Sequence, residues 1–234
     1  MKTALITGGT KGIGLGIAES LLADGYNVAI TGRSEESTQQ IAQHLEANYK
    51  GKVLAIACDV TDLNAQNQCA QQVEDKFGSI DVVIANAGVG HFATIEDMTA
   101  EQWNETIDIK LTGVFNTTKA TLSALKKSEG YLITIASLAG TNFFAKGAAY
   151  NASKFGLVGY TQAVMLDLRQ YGIKVTTIMP GSVSTHFNGN TPSEKGAWKI
   201  QPEDLGQMVV DLLKINPRTL PSKIEVRPTI PGKK

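Results

Sequence analysis

Tyr150 and Lys154 stand four residues apart, the spacing that puts two side chains on one face of a helix. An ammonium beside a phenol favours the phenolate and lowers its pKa from about 10 towards neutrality. A phenol so tuned can give a proton to a carbonyl oxygen, or take one from an alcohol, at physiological pH. Ser137 ends an apolar run thirteen residues before Tyr150, and its hydroxyl could polarise the same oxygen. Tyr-x3-Lys is also a common surface pair, so the reading depends on what the rest of the chain brings beside it.

A second group of residues suits a nucleotide. The first apolar run leads into Thr7-Gly8-Gly9-Thr10-Lys11-Gly12-Ile13-Gly14, and a helical pattern follows. Glycines let such a turn adopt positive φ, and they let backbone N–H groups approach a pyrophosphate at the helix N-terminus. The literal G-x-G-x-x-G/A pattern fails, because its last position falls on Ile17. A Walker A reading fails too, because Gly9-x4-Gly14 is followed by Leu15-Gly16.

The next run ends Ile30-Thr31-Gly32-Arg33-Ser34. An acid at that strand end would hold the ribose 2′-hydroxyl of NAD; Arg33 instead suits the 2′-phosphate of NADP, with Lys11 as a second positive charge. NADP is therefore the expected cofactor. The competing reading makes Glu35 or Glu36 the ribose acid, although both fall further along, in the next helix.

Chemistry at these positions requires a scaffold that brings them together. Short β-rich runs at 3–7, 27–31, 53–57, 82–85, 131–136, 174–179 and 224–226 alternate with segments of helical period. Several runs are almost continuously apolar, as strands covered on both faces should be. One helix is marked by Leu205, Met208, Val209, Leu212 and Leu213. Pro202, Glu203 and Asp204 lead it, and Asn216-Pro217 stops it. This alternation predicts an α/β fold, a doubly wound parallel sheet with helices on both faces, in one domain over 1–234. In such a fold ligands sit beyond the carboxyl ends of the strands. The long irregular stretch 182–200 reads as a substrate loop.

Composition excludes several alternatives. Lys and Arg number 22 against 22 Asp and Glu, so there is no basic footprint for nucleic acid and no polybasic patch for a membrane. No apolar stretch reaches the ~18 residues of a spanning helix, and no signal peptide is seen, so a cytoplasmic location is expected. Cys58 and Cys69 fit neither a disulfide framework nor a zinc pattern, and no metal is expected. The sequons at Asn104, Asn116 and Asn151 read as chance. No G-x-S-x-G elbow supports a hydrolase.

Thr7-Gly8-x3-Gly12-x-Gly14, Asn86-Ala87-Gly88, Ser137, Tyr150-x3-Lys154 and Pro180-Gly181 occur in that order. With this set, the chain resembles the short-chain dehydrogenase/reductase family over essentially its whole length. The resemblance implies a Rossmann-type sheet of seven strands and reversible hydride transfer between a nicotinamide cofactor and a carbonyl or alcohol. It implies Tyr150 as general acid/base and Ser137 as hydrogen bonder to the substrate oxygen. Lys154 would lower the Tyr150 pKa and bind the nicotinamide ribose. Asp59 and Val60 match positions near adenine, and Asn86, Ala87 and Gly88 positions beside the cofactor. Val183 and Thr185, after Pro180-Gly181, match contacts to the nicotinamide carboxamide.

One position departs from that family. Where it usually has an asparagine, thought to hold a water linking the lysine to solvent, this chain has Lys110 in Asp108-Ile109-Lys110-Leu111-Thr112-Gly113. Pointing inward, a second ammonium would repel Lys154 and help ionise Tyr150. Pointing outward, the four-carbon stem would carry the charge to water. The expense of burying a second charge favours the outward placement.

His91, Phe92, Phe143, Phe144 and Phe187 follow strand ends and are candidate substrate contacts, their aromatic walls suiting an apolar or aromatic carbonyl. The function expected is an NADP-dependent carbonyl reductase or alcohol dehydrogenase. A ketoacyl-carrier-protein reductase is the alternative enzyme, although that branch usually ends in a glycine pair where this chain reads Ile224-Glu225-Val226-Arg227-Pro228. A non-catalytic dinucleotide-binding regulator is the third reading, opposed by the intact Ser137, Tyr150 and Lys154. The family resemblance further implies a homodimer or homotetramer packed through the two long central helices.

Overall fold

Strand side chains alternate between two faces, and here both faces are apolar. In the computed structural model, which describes residues 1–50 and 52–230, Ala4 and Ile6 pack against one helical layer and Leu5 against the other. The strands are β1 (Thr3–Thr7), β2 (Asn27–Gly32), β3 (Val53–Ala57), β4 (Val82–Ala85), β5 (Tyr131–Ile135), β6 (Lys174–Pro180) and β7 (Lys223–Val226). All pair in parallel, in the order β3-β2-β1-β4-β5-β6-β7. Among the described residues this is one doubly wound sheet, as the run pattern predicts. The inner strands β1, β4 and β5 are buried throughout, whereas the edge strand β7 is half-buried at best.

The helices are α1 (Gly12–Ala23), α2 (Glu35–Asn48), α3 (Leu63–Phe77), α4 (Ala100–Ile107), α5 (Gly113–Ser128), α6 (Ala148–Leu168) and α7 (Pro202–Lys214). Ile17 and Leu21 of α1, Leu45 of α2 and Leu205 and Val209 of α7 cover one face of the sheet. Val73 of α3, Leu125 of α5 and Leu168 of α6 cover the other. Helices α1 and α7 cross at two glycines: a Cβ on Gly206 would lie 2.5 Å from the Gly16 carbonyl oxygen. The start of α7 is capped as its sequence predicts, with Pro202 in the first turn and the Asp204 carboxylate accepting from the Gln201 backbone N–H at 2.8 Å. No helix among the described residues is long and apolar enough to cross a membrane, and none of their His, Cys, Asp and Glu residues cluster as a metal site would require.

The order of strands reverses between β1 and β4, so the loops after them diverge and leave a crevice at their carboxyl ends. Between α4 and α5 the chain makes a π-helical turn, Asp108–Thr112, closed by the Gly113 N–H on the Asp108 carbonyl. Such turns insert an extra residue into a helix and occur often at functional sites. Here the turn carries Ile109 and Lys110 inward, both buried, while Asp108 and Thr112 stay exposed.

Candidate active site

The crevice is a cavity of about 800 Å³ that runs from Arg33 past the glycine turn to Tyr150. Its floor is the turn after β1. Gly8 and Gly12 sit at φ +66° and +56°, the left-handed region that glycine enters without strain. A Cβ on Gly8 would come within 2.9 Å of the Ala87 Cα, so the β1 and β4 loops touch there. The Asn86 amide donates to the Thr7 and Gly8 carbonyls at 3.1 and 3.0 Å. The Thr7 hydroxyl accepts from the Asn86 and Ala87 N–H groups. Asn86 thus fixes the turn from below while also lining the cavity. Gly14 is not in the wall: it backs the turn, and a Cβ there would lie 2.6 Å from the Asn86 amide nitrogen.

At one end of the cavity, β2 closes with Gly32 and Arg33 follows. Ser34 caps α2 by accepting from the Ser37 N–H at 3.3 Å. Lys11, Arg33, Ser34 and Ser37 all line this end, and no carboxylate stands at the strand terminus. Glu35 and Glu36 lie in the first turn of α2 and outside the cavity wall. Asp59 and Val60, after β3, line the same region. The Asp59 carboxylate accepts from the Thr61 N–H at 2.9 Å, and the Asn116 amide donates to the Val60 carbonyl at 3.0 Å. Cys58 joins this wall unanticipated; it and Cys69 are free and buried.

At the other end, Tyr150 lies in the first turn of α6 among Phe92, Phe144 and Phe187, with ring centroids 5.2, 6.3 and 5.9 Å from its own. The Ser137 hydroxyl accepts from the Ala139 N–H at 3.1 Å and donates to the Pro180 carbonyl at 3.5 Å, so the β5 and β6 ends hold it. The Lys154 amine donates to the Ile135 carbonyl at 2.7 Å, and its nitrogen lies 5.9 Å from the Tyr150 ring centroid. Burial lowers the Lys154 pKa to about 7. Burial also raises the Tyr150 phenol above its ordinary value, with the Ser137 hydroxyl opposing that rise. This corrects the expectation of a phenol drawn towards neutrality. Lys154 is itself short of water and directs its amine to a backbone carbonyl, so it supplies too little charge to outweigh the desolvation of the phenol.

Lys110 is the second correction. It is 3% exposed, lines the cavity, and holds its nitrogen 4.8 Å from the Tyr150 ring centroid and 4.9 Å from that of Phe187. The π-helical turn aims the stem into the cavity and not at the outer surface, contrary to the outward placement expected. Burial, and then the neighbouring Lys154, push its pKa well below that of an ordinary lysine.

Two substrate candidates lie elsewhere. Phe143 is 86% exposed and outside the cavity wall; Phe144, its neighbour in an irregular segment, points inward instead. His91 turns away to the Glu105 carboxylate at 2.6 Å, which also faces Arg33 at 3.7 Å. A carboxylate partner on α4 holds the imidazole out of the pocket.

Pro180, Gly181, Val183 and Thr185 line the cavity beside Tyr150. The Ser184 N–H donates to the Ile200 carbonyl and the Ile200 N–H to that of Ser182, at 2.9 and 3.1 Å. These bonds pinch the excursion 182–200 into a loop with a closed neck. Asn151 is the positioning residue the sequence reading passed over as a chance sequon. Its amide donates to the Ala139 and Asn142 carbonyls, both at 2.8 Å, and so ties the β5 loop to the helical turn that carries Tyr150. Its place directly after Tyr150 was the available signal.

Residues 2–196 match the family model described as short chain dehydrogenase. The chain belongs to the short-chain dehydrogenase family. Among curated members of that family, an uncharacterized oxidoreductase of Staphylococcus saprophyticus is 33% identical over 97% of both chains. The trans-4-hydroxycyclohexanecarboxylate dehydrogenase of Sinomonas cyclohexanicum is 36% identical over 91% of this chain and 84% of its own. Among solved structures, an alcohol dehydrogenase from the archaeon Thermococcus sibiricus, complexed with 5-hydroxy-NADP, superposes with a TM-score of 0.93. It is 29% identical, over 100% of this chain and 99% of that one. The short-chain dehydrogenase fold and oxidoreductase class follow from these likenesses together with the seven-stranded sheet.

Proposed function

We propose that this protein is an NADP(H)-dependent carbonyl reductase or alcohol dehydrogenase in which Tyr150 is the general acid/base. The observation that carries the reading is one cavity with an arginine at the end of β2 and, at its far end, a half-buried tyrosine and serine beside a buried lysine. The glycine cradle fits a dinucleotide: Gly8 and Gly12 hold positive φ where backbone must approach a ligand closely. Lys11, Arg33, Ser34 and Ser37 would hold the 2′-phosphate, Asp59 and Val60 would flank the adenine, and Lys154 would bind the nicotinamide ribose. When bound, the cofactor supplies or accepts the hydride.

The protein's own part is proton transfer. Tyr150 keeps its proton through neutral pH, because burial raises its pKa. It therefore stands ready to protonate a carbonyl oxygen that Ser137 polarises. Reduction should hold across the neutral range and fall as the phenol ionises, whereas alcohol oxidation should rise on the alkaline side. Phe92, Phe144 and Phe187 give the pocket aromatic walls that favour a ring or apolar chain beside the carbonyl. The Sinomonas relative acts on a hydroxylated ring acid, which such walls would also suit.

The deciding experiment follows NADPH and NADH oxidation against a panel of carbonyls, with carrier-bound ketoacyl substrates included. Oxidation of NADPH by free ring or branched ketones is the result expected. Cofactor binding with no turnover on any substrate would make the protein a dinucleotide-binding regulator. As partner we propose a second copy, packed through α5 and α6. Phe115 and Phe155 are 44% and 43% exposed on these helices, an apolar surface that self-association would cover. A solution mass of two or four chains is expected; a stable 25.0 kDa monomer would reject it.

A further inference from the structure

Lys110 is a buried amine for which the family mechanism has no role. It makes no ion pair among the described residues, and no side chain or backbone group there accepts a hydrogen bond from it. What surrounds it can be named element by element. The β4 loop approaches at Gly88, where a Cβ would lie 2.7 Å from the amine. The 182–200 loop presents the Phe187 ring, and α6 presents Tyr150 and Lys154. On its own turn the one carboxylate, Asp108, is exposed. Among the described residues, the ionisable groups that face it are thus a phenol and a second amine, both within the cavity.

We propose that Lys110 is a positioning residue for the acid–base step: its amine, held over the Tyr150 ring, takes up a proton from solvent in the cavity when the phenol gives its own to the substrate oxygen, and so stabilises the phenolate jointly with Lys154. The balance is this: the phenol O–H breaks as the substrate O–H forms, the new N–H on Lys110 takes its proton from solvent in the cavity, and a neutral pair becomes an ion pair; that solvent proton is the one that reduction consumes overall. An ammonium over the face of an aromatic ring is attracted to it, and more strongly once the ring carries a negative charge. Burial and Lys154 disfavour the charge on Lys110, so the gain comes only when Tyr150 ionises. The two groups then titrate as a couple, and a measured pKa belongs to the set. The outcome is a site whose phenolate is stabilised by a charge that is absent while the phenol is protonated.

This inference deepens the proposed function, because it gives Tyr150 the acid–base role. Its test therefore has one arm that needs no turnover. Tyrosinate absorbance is titrated as the difference between the protein and its Tyr150→Phe variant, then repeated in Lys110→Asn and Lys110→Met backgrounds. Both changes remove the amine, one with the family's usual side chain and one with an unbranched apolar stem. Each is expected to raise the apparent Tyr150 ionisation by about one pH unit. Where alcohol oxidation is measurable, its alkaline-going limb should move up equally, an approximately tenfold loss of kcat/KM on the acid side. Equal shifts in both variants mark the charge as the cause. A shift in only one would assign the effect to packing or to a water path, and would overturn the proposal. So would ionisation unchanged in both variants while each unfolds at the parent's temperature. If both variants unfold early, Lys110→Gln repeats the titration on the same criterion. A raised KM confined to carboxylate-bearing substrates, with no titration shift, would make Lys110 a substrate anchor instead. Absence of turnover in the parent would reject the proposed function, and the absorbance arm would still decide this one.

Discussion

Tyr150→Phe is expected to lower kcat by roughly 10²–10⁴-fold, the usual contribution of a positioned general acid or base, while the Kd for NADPH stays within about twofold. Only a hydroxyl is removed. The ring keeps its place among Phe92, Phe144 and Phe187, and Asn151 continues to fix the first turn of α6 from the β5 loop. Binding read by cofactor fluorescence and turnover read by NADPH absorbance should therefore separate. A variant that turns over within tenfold of the parent would show that another group moves the proton. Loss of both together would mean that the phenol holds the cofactor or the fold, against the geometry described above.

The scaffold was legible because its signals are local and repeated. Strand runs buried on both faces read as unbroken apolar segments, and β1, β4 and β5 are buried at every position. The glycine turn was legible as well, since positive φ at Gly8 and Gly12 leaves few other residue choices. What escaped notice depends on tertiary aim. The outward placement of Lys110 rested on the cost of burying a second charge, but the chain adds a residue there, and one extra residue redirects a side chain by about a quarter of a turn. His91 and Phe143 follow strand ends as Phe144 does, yet a carboxylate on α4 captures one and the other faces solvent. Neither fact is encoded within a few residues of the side chain concerned. The phenol of Tyr150 departs from expectation for a related reason: the Lys154 spacing is visible in sequence, whereas the burial that outweighs it depends on the tertiary surroundings, among them rings from three separate loops.

Arg33→Asp is expected to lower the NADPH/NADH ratio of kcat/KM by about 10- to 100-fold, the range for losing a charge-assisted hydrogen bond of ~1.5–3 kcal/mol. Two effects share that change. Removing the guanidinium withdraws the 2′-phosphate partner, and the new carboxylate repels the phosphate while offering an acceptor to a ribose 2′-hydroxyl. Arg33→Ala separates them: it should weaken NADPH alone and leave NADH near the parent value. Arg33 is 66% exposed in its side chain and 3.7 Å from Glu105, so this contact is screened, and the NADPH advantage should shrink as ionic strength rises. The Ser34 and Ser37 hydroxyls and Lys11 remain at the β2 end in both variants, which bounds the loss: NADPH should still bind. A ratio unchanged in both variants would show that Arg33 serves Glu105 and not the cofactor, and would return the choice between NADP and NAD to Lys11 and the α2 N-terminus.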